Sequence, residues 1–289
     1  MKIENLVFEG GGVKGIAYAG ALQALETKNI LKDVKRVAGT SAGAITAALV
    51  SLKYDAATIT KVVNNTDFKT FEDHWNPLKI VTKYGLYKGQ VLLNFIEKFF
   101  TDIGLPNTST FQDLKDKGYH DLKLFASDLN LSEAREFSVD TTPNAIVAEA
   151  VRASMSIPIF FRAWKFSNGI PDEHIYVDGG VTYNYPITCF DKDGSNPQTI
   201  GFHFGKLNEP KEPSDLDYDH IVDYVKTVFN MLLDSQKIDY EKDASEKERS
   251  VNINDFGISA TNFSLTKEEK DKLYNSGQAA TLKFLDTYL

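Results

Sequence analysis

Cysteine is almost absent from this chain. Cys189 stands alone in 289 residues, so no internal disulfide is available and the fold must rest on an ordinary core. Hydrophobic residues make up 42 %, enough for a large one. Long apolar runs are missing too, which excludes a bilayer-spanning helix. The opening MKIENLVFEGGG carries Glu4 inside its short apolar stretch and has neither a signal-peptide core nor a transit-peptide composition. The expectation is a soluble, cytoplasmic protein, with export by a route that needs no N-terminal signal left open. An excess of cations is also lacking: 32 Lys and Arg face 40 Asp and Glu, for a net charge of −8. That argues against a nucleic-acid partner and against electrostatic capture by anionic membranes. The histidines are His74, His120, His174, His203 and His220. They are scattered, without metal-ligand spacing or an H-E-x-x-H pattern, so neither a metal nor another cofactor is expected.

The order of segments points to an α/β fold. Ile3–Phe8 reads as a buried strand, followed by a glycine cluster and a helix from Val13 to about Lys28 whose apolar face recurs at helical period. Val34–Ala38 reads as a second strand, then a tight turn and a helix from Ala42 to Lys53. Strand, loop, helix, strand, turn, helix is the opening of a parallel sheet. Asp55 caps a short helix to Asn65, and Gln90–Thr101 is helical. Leu122–Ser127, Glu136–Val139, Ile175–Val177 and Thr199–Phe204 are strand candidates. Thr142-Pro143 marks a helix start running to about Arg152. Residues 237–250 are densely charged and read as a solvated helix end with a loop. Thr266 to Glu269 forms a capping box that opens the last helix. One domain over 1–289 is expected. Within it, 66–110 is a candidate flap or insertion, centred on the aromatic-rich stretch 66–88 with Trp75 and Pro77, and 215–289 is a helical extension.

Three motifs carry chemistry. Gly39-Thr40-Ser41-Ala42-Gly43 is G-x-S-x-G at a strand-to-helix turn. Such a turn exposes a serine hydroxyl and aims helix N-terminal amides at it, as a nucleophile requires, although an ordinary turn needing glycine fits the same five residues. Gly10-Gly11-Gly12-Val13-Lys14-Gly15 ends the preceding strand. If the two strands are neighbours, the amides of Gly11, Gly12 and Val13 converge above Ser41 as an oxyanion hole. The same stretch fits a dinucleotide fingerprint, but the next strand ends Val37-Ala38-Gly39-Thr40, without the acidic residue that binds ribose. A P-loop fails as well, since Ile16 stands where lysine is needed. The third motif, Asp178-Gly179-Gly180, is by itself a common turn signal.

Taken together, in this order and spacing, the three motifs resemble those of patatin-like phospholipases. The segments YGLYKG from Tyr84, TFQDL from Thr110, FASDLN from Phe125 and ASMSIPIFF from Ala153 are also similar, so the resemblance covers most of residues 3–190. It implies a three-layer α/β/α sandwich around a mostly parallel sheet. It implies that Ser41 is acylated, that Asp178 is its general base, and that Gly11, Gly12, Val13 and Lys14 supply the oxyanion hole. Gly10, Gly15, Gly39, Gly43, Gly179 and Gly180 would shape the supporting turns. The substrate would be a phospholipid or another acyl-ester lipid, met in transient contact with a membrane or micelle surface. An aspartate acting directly on serine needs a raised pKa, which burial against apolar walls supplies. Phe160 and Phe161, in IPIFFRAWKF, are less typical of the family and point to an acyl pocket particular to this chain. Rival readings are an α/β-hydrolase esterase whose triad is completed by His203 or His220, a non-catalytic lipid-binding protein on the same fold, and, last, a nucleotide-binding protein.

With an oxyanion hole of backbone amides and no metal, ester hydrolysis is expected to survive EDTA. A large loss restored by calcium would contradict this.

Overall fold

A computed structural model describes residues 2–74, 84–205, 221–240 and 243–288. Trp75, Pro77 and His220 lie outside them, as does the centre of the candidate flap.

The central sheet has the order β5-β4-β2-β1-β8-β9, with β7 paired to β4. Its strands are β1 (Asn5–Phe8), β2 (Arg36–Thr40), β4 (Asp121–Asp128), β5 (Glu133–Ser138), β7 (Tyr176–Asp178), β8 (Thr199–Gly205) and β9 (Ser250–Asn254). Strands β4, β2, β1, β8 and β9 run parallel, whereas β5 and β7 are antiparallel to β4. A separate pair joins β3 (Gly85–Tyr87) to β6 (Ile159–Phe161). The fold is thus α/β with a mostly parallel central sheet and flanking helices, as the sequence implied.

Alternation along the strands builds two cores. Leu6, Phe8, Val37, Leu124 and Ala126 point into a large cluster under the helices. Val7, Ala38 and Phe125 point the other way, into a small cluster closed by Ile187 and Phe190. The large cluster takes the apolar faces of α1 (Ile16–Thr27), α2 (Ala42–Ser51), α3 (Ala56–Asn65), α4 (Gln90–Thr101), α5 (Phe111–Asp116) and α6 (Val147–Ser154). It also takes Phe229 and Leu233 of α7 (Ile221–Tyr240), and Leu273 and Leu285 of the last helix, Lys267–Tyr288.

The register on β4 positions the site. Thr40, the last residue of β2, pairs with Phe125. Asp178, the last residue of β7, pairs with Ala126, the next residue of β4. Two strands of opposite direction therefore share one edge of β4 and meet end to end. The residue after β2 is Ser41.

Several expectations are corrected here. Helix α6 begins at Val147, not at Pro143, and its N-cap is Ile146. Thr142 instead closes a turn: its N–H donates to Ser138 O at 2.9 Å and its Oγ1 accepts from Ser138 N–H at 3.2 Å. The stretch 215–289 is not helical throughout, since β9 lies inside it and extends the sheet. Nor is the charged run 237–250 solvated to its end. Arg249 is only 3 % exposed and forks onto both carboxylate oxygens of Asp191, with one contact of 2.7 Å. Asp55 does cap α3, accepting from Thr58 N–H at 2.6 Å, and Thr266 and Glu269 close the expected box.

The Arg249–Asp191 fork holds the start of β9 to the loop that precedes β8. Breaking one side of a buried pair strands the other charge, at about 3 kcal/mol. Arg249→Met is expected to lower unfolding free energy in urea by about that amount, and Arg249→Met with Asp191→Leu by clearly less.

Candidate active site

Ser41 sits in a backbone conformation that side chains rarely adopt, with φ 53° and ψ −119°. The turn holds it there because its flanks have no side chains. A Cβ on Gly39 would fall 2.2 Å from Gly43 O, and one on Gly43 2.2 Å from Phe8 O. The Ser41 N–H donates to Ser154 Oγ at 2.8 Å, and that hydroxyl donates onward to Phe125 O. The hydroxyl of Ser41 is left to point at Asp178, donating to Oδ2 at 2.7 Å.

Asp178 is completely buried. Its other oxygen accepts from Gly180 N–H at 2.8 Å, and its own N–H donates to Ser156 O at 2.8 Å. Burial pushes its pKa up from the ordinary 3.8 to about 7, against the pull of the Ser41 and Gly180 hydrogen bonds and the charge of Arg152. This is the direction a serine-activating base needs. Arg152 is itself fully buried; desolvation draws it down to about 10, so it stays a cation at neutral pH. It donates to Ser156 Oγ at 2.6 Å and to Gly89 O at 3.1 Å. It therefore links the surroundings of Asp178 to the start of α4, whose first amides are capped by Asp73.

The glycine loop divides the expected oxyanion donors. The amides of Gly11 and Gly12 have no acceptor among the described residues. Those of Val13 and Lys14, named as donors from the sequence, are already committed, to Ala260 O at 3.0 Å and Gly11 O at 3.1 Å. The Lys14 side chain turns inward and pairs with buried Asp255 at 3.0 Å. Asp255 directly follows β9, so the C-terminal strand is what seats the loop. Nothing in the sequence linked Lys14 to a residue 241 positions away.

No described histidine hydrogen-bonds Ser41 or Asp178. His203 is buried with Nδ1 3.1 Å from Glu9 Oε2. The described ligand atoms that converge as for a metal belong to Asp128, Asp172 and His174. These already have protein partners, Asp128 with His174 at 2.7 Å and Asp172 with the Tyr176 hydroxyl at 2.7 Å.

Beside Ser41 lies a cleft enclosing about 810 Å³, counting the part open to solvent. It runs between α1, α2, α3 and α4, past Ile16, Ile45, Leu49, Ile59, Phe95 and Phe161. Among the described residues its lining has no charged side chain; Thr46, Thr66 and Ser41 are the polar ones. Of the atypical aromatic pair, Phe161 faces the cleft, while Phe160 packs behind it, stacked on Phe263 at 5.1 Å. Among the described residues no helix is long and apolar enough to cross a membrane.

Comparison with known proteins places the chain in a family and a fold. The chain is 34 % identical to YqhO of Bacillus subtilis (strain 168), over 96 % of its own length and 97 % of that protein's. It is 30 % identical to R571 of Acanthamoeba polyphaga mimivirus, over 96 % and 91 % of the two chains. In fold it is similar to VipD from Legionella pneumophila, with a TM-score of 0.66 at 18 % identity, covering 100 % of this chain and 67 % of that one. The model of the patatin-like phospholipase family matches residues 6–191, and the chain belongs to that family.

Proposed function

We propose that this protein cleaves carboxylic esters of lipids, as a phospholipase A or lysophospholipase, through a Ser41–Asp178 dyad and an acyl-enzyme. The observation that carries this reading is the 2.7 Å contact from Ser41 Oγ to a desolvated carboxylate at the head of an uncharged, apolar cleft. The cleft follows α2 from Ser41 past Ile45 to Leu49. Eight helical residues rise ~12 Å, about the length of a ten-carbon chain in extended form. An acyl chain laid there leaves its ester carbonyl at Ser41. Asp178 takes the serine proton as Oγ attacks, the Gly11 and Gly12 amides, without an acceptor among the described residues, receive the developing oxyanion, and Asp178 passes the proton to the departing alcohol. A passive lipid carrier would have no use for a strained serine or for a buried carboxylate that costs stability when ionised.

Labelling with a fluorophosphonate is expected to modify Ser41 and no other residue, and Ser41→Ala to abolish both label and ester hydrolysis with an unchanged thermal midpoint. Label on another serine would remove the assignment.

Because the base must be ionised, turnover is expected to rise with pH through about 7 and level off above it. Stability runs the other way. The folded pKa lies above the unfolded one, so the contribution of Asp178 is fully present below 3.8 and is lost as pH rises through about 7. Asp178→Asn is therefore expected to lose activity by orders of magnitude, to melt above the wild type at pH 8, and to converge with it below pH 4. Equal melting temperatures at pH 8 would contradict an ionised, desolvated base.

A further inference from the structure

The cleft beside Ser41 has a closed foot. It follows α2 from Ser41 through Ile45 to Leu49, and Leu52 and Tyr54, further along the chain, do not line it. There the chain turns at Lys53, with φ 62°, and Tyr54 N–H donates back to Leu49 O at 3.1 Å. Helix α3 starts from that turn, so Ile59, near its beginning, lines the same end as Leu49. Helix α4 arrives there too. The Tyr54 hydroxyl donates to Phe99 O at 2.8 Å, and the two rings meet edge-on at 6.2 Å. Leu49, Ile59 and Phe99 are 3 %, 2 % and 4 % exposed. One turn away from them, Ile45, Val63 and Phe95 are only partly buried, so the cleft opens along its side and closes at its foot.

The walls offer nothing to a polar substituent. Thr46 Oγ1 donates to Ala42 O at 3.0 Å and Thr66 Oγ1 to Val62 O at 2.7 Å, each one helical turn back. Both hydroxyl hydrogens are thereby taken, and the other described side chains of the lining, Ser41 apart, are apolar. A hydrocarbon chain gains from every methylene it buries there, whereas a charged or hydroxylated one leaves a group unmatched. The depth is set by α2. From Ser41 to Leu49 the helix rises ~12 Å, which an extended chain of about ten carbons spans.

We infer that Leu49, Ile59 and Phe99 form a stop that measures the acyl chain, and that the preferred substrates carry medium-length acyl groups of about ten carbons. This rests on the ester-hydrolase reading above, with the acyl carbonyl at Ser41. A shorter chain leaves the foot of the cleft unfilled and forgoes part of the binding that brings its carbonyl to the serine. A longer chain meets Phe99, whose ring is backed by that of Tyr54 and whose carbonyl is bonded to the Tyr54 hydroxyl. The surplus carbons then stay in water or draw the carbonyl away from Ser41. Tyr54 acts through Phe99, as the residue that holds the stop in place.

The test is a series of p-nitrophenyl esters from butyryl to palmitoyl. In the wild type kcat/KM is expected to rise about fourfold per methylene up to about ten carbons and then to level or fall. Ile45→Phe fills open space one turn above Leu49 and is expected to move the maximum down by about five carbons. Leu49→Ala lowers the foot and is expected to move it up by about two. Leu52→Ala, equally buried but off the lining, is the control: it loses stability as Leu49→Ala does and is expected to leave the maximum in place. The same series of free fatty acids is titrated calorimetrically into Ser41→Ala, where affinity is expected to climb and break at the same length. A profile climbing steadily to palmitoyl, or a maximum that stays put in both Ile45→Phe and Leu49→Ala, would overturn the inference. Leu52→Ala moving the maximum as far as Leu49→Ala would overturn it too. A wild type that hydrolyses no ester, with fatty-acid binding to Ser41→Ala still breaking at about ten carbons, would remove the dyad and uphold the stop.

Discussion

The site depends on where two short strands stop. Strand β4 offers one edge to β2 as far as Phe125 and, from Ala126 onward, to β7 running the other way. Because backbone register is set by a ladder of hydrogen bonds, the ends of β2 and β7 have no freedom to drift apart. Main-chain pairing sets Ser41 and Asp178 side by side, and their side chains then meet at 2.7 Å. The glycine loop is added by the same sheet, since β1 is the parallel neighbour of β2 and ends at the same level, with Phe8 opposite Gly39.

Around this frame the protein buries charge, and each buried charge has an identifiable use. Lys14 and Asp255 lock the glycine loop onto the segment after β9. Arg152 spans the base, the start of α4 and the chain before β6. Glu9 accepts from Phe204 N–H at 2.7 Å and from Asn184, joining β1 to β8 and to the loop of the base. Apolar replacements of similar size are often as stable as such pairs, so their presence speaks for fixing positions more than for adding stability. Asp178 is the extreme case, a carboxylate held where ionisation is unfavourable.

The motifs that resemble the family end near residue 190, and the family match ends at 191, yet the architecture of the candidate site does not. Ala260 accepts the amide of Val13, Asp255 holds Lys14, Phe263 lines the cleft, and Gln236 braces the base loop. The last hundred residues thus help to build the candidate site.

Much of this was legible in the sequence, because local rules wrote it. The strand–glycine–helix rhythm, the Ser41 elbow, the cap at Asp55 and the box at Thr266 need only neighbours within a few residues. Thr142-Pro143 misled because the same threonine oxygen serves a turn as well as a helix cap, and only the tertiary fit chose between them. The amides of Val13 and Lys14 were indistinguishable from those of Gly11 and Gly12 until Ala260 O and the turn back to Gly11 O had taken them. Arg249 read as solvated because its partner, Asp191, lies 58 positions earlier. The sequence by itself determined the fold class and singled out Ser41 and Asp178, since periodicity and turn chemistry are local. Only the tertiary structure decided which loop amides find acceptors among the described residues, and which charges are buried. Hydrogen-bond partners far apart in the chain are set by packing, which no local pattern records.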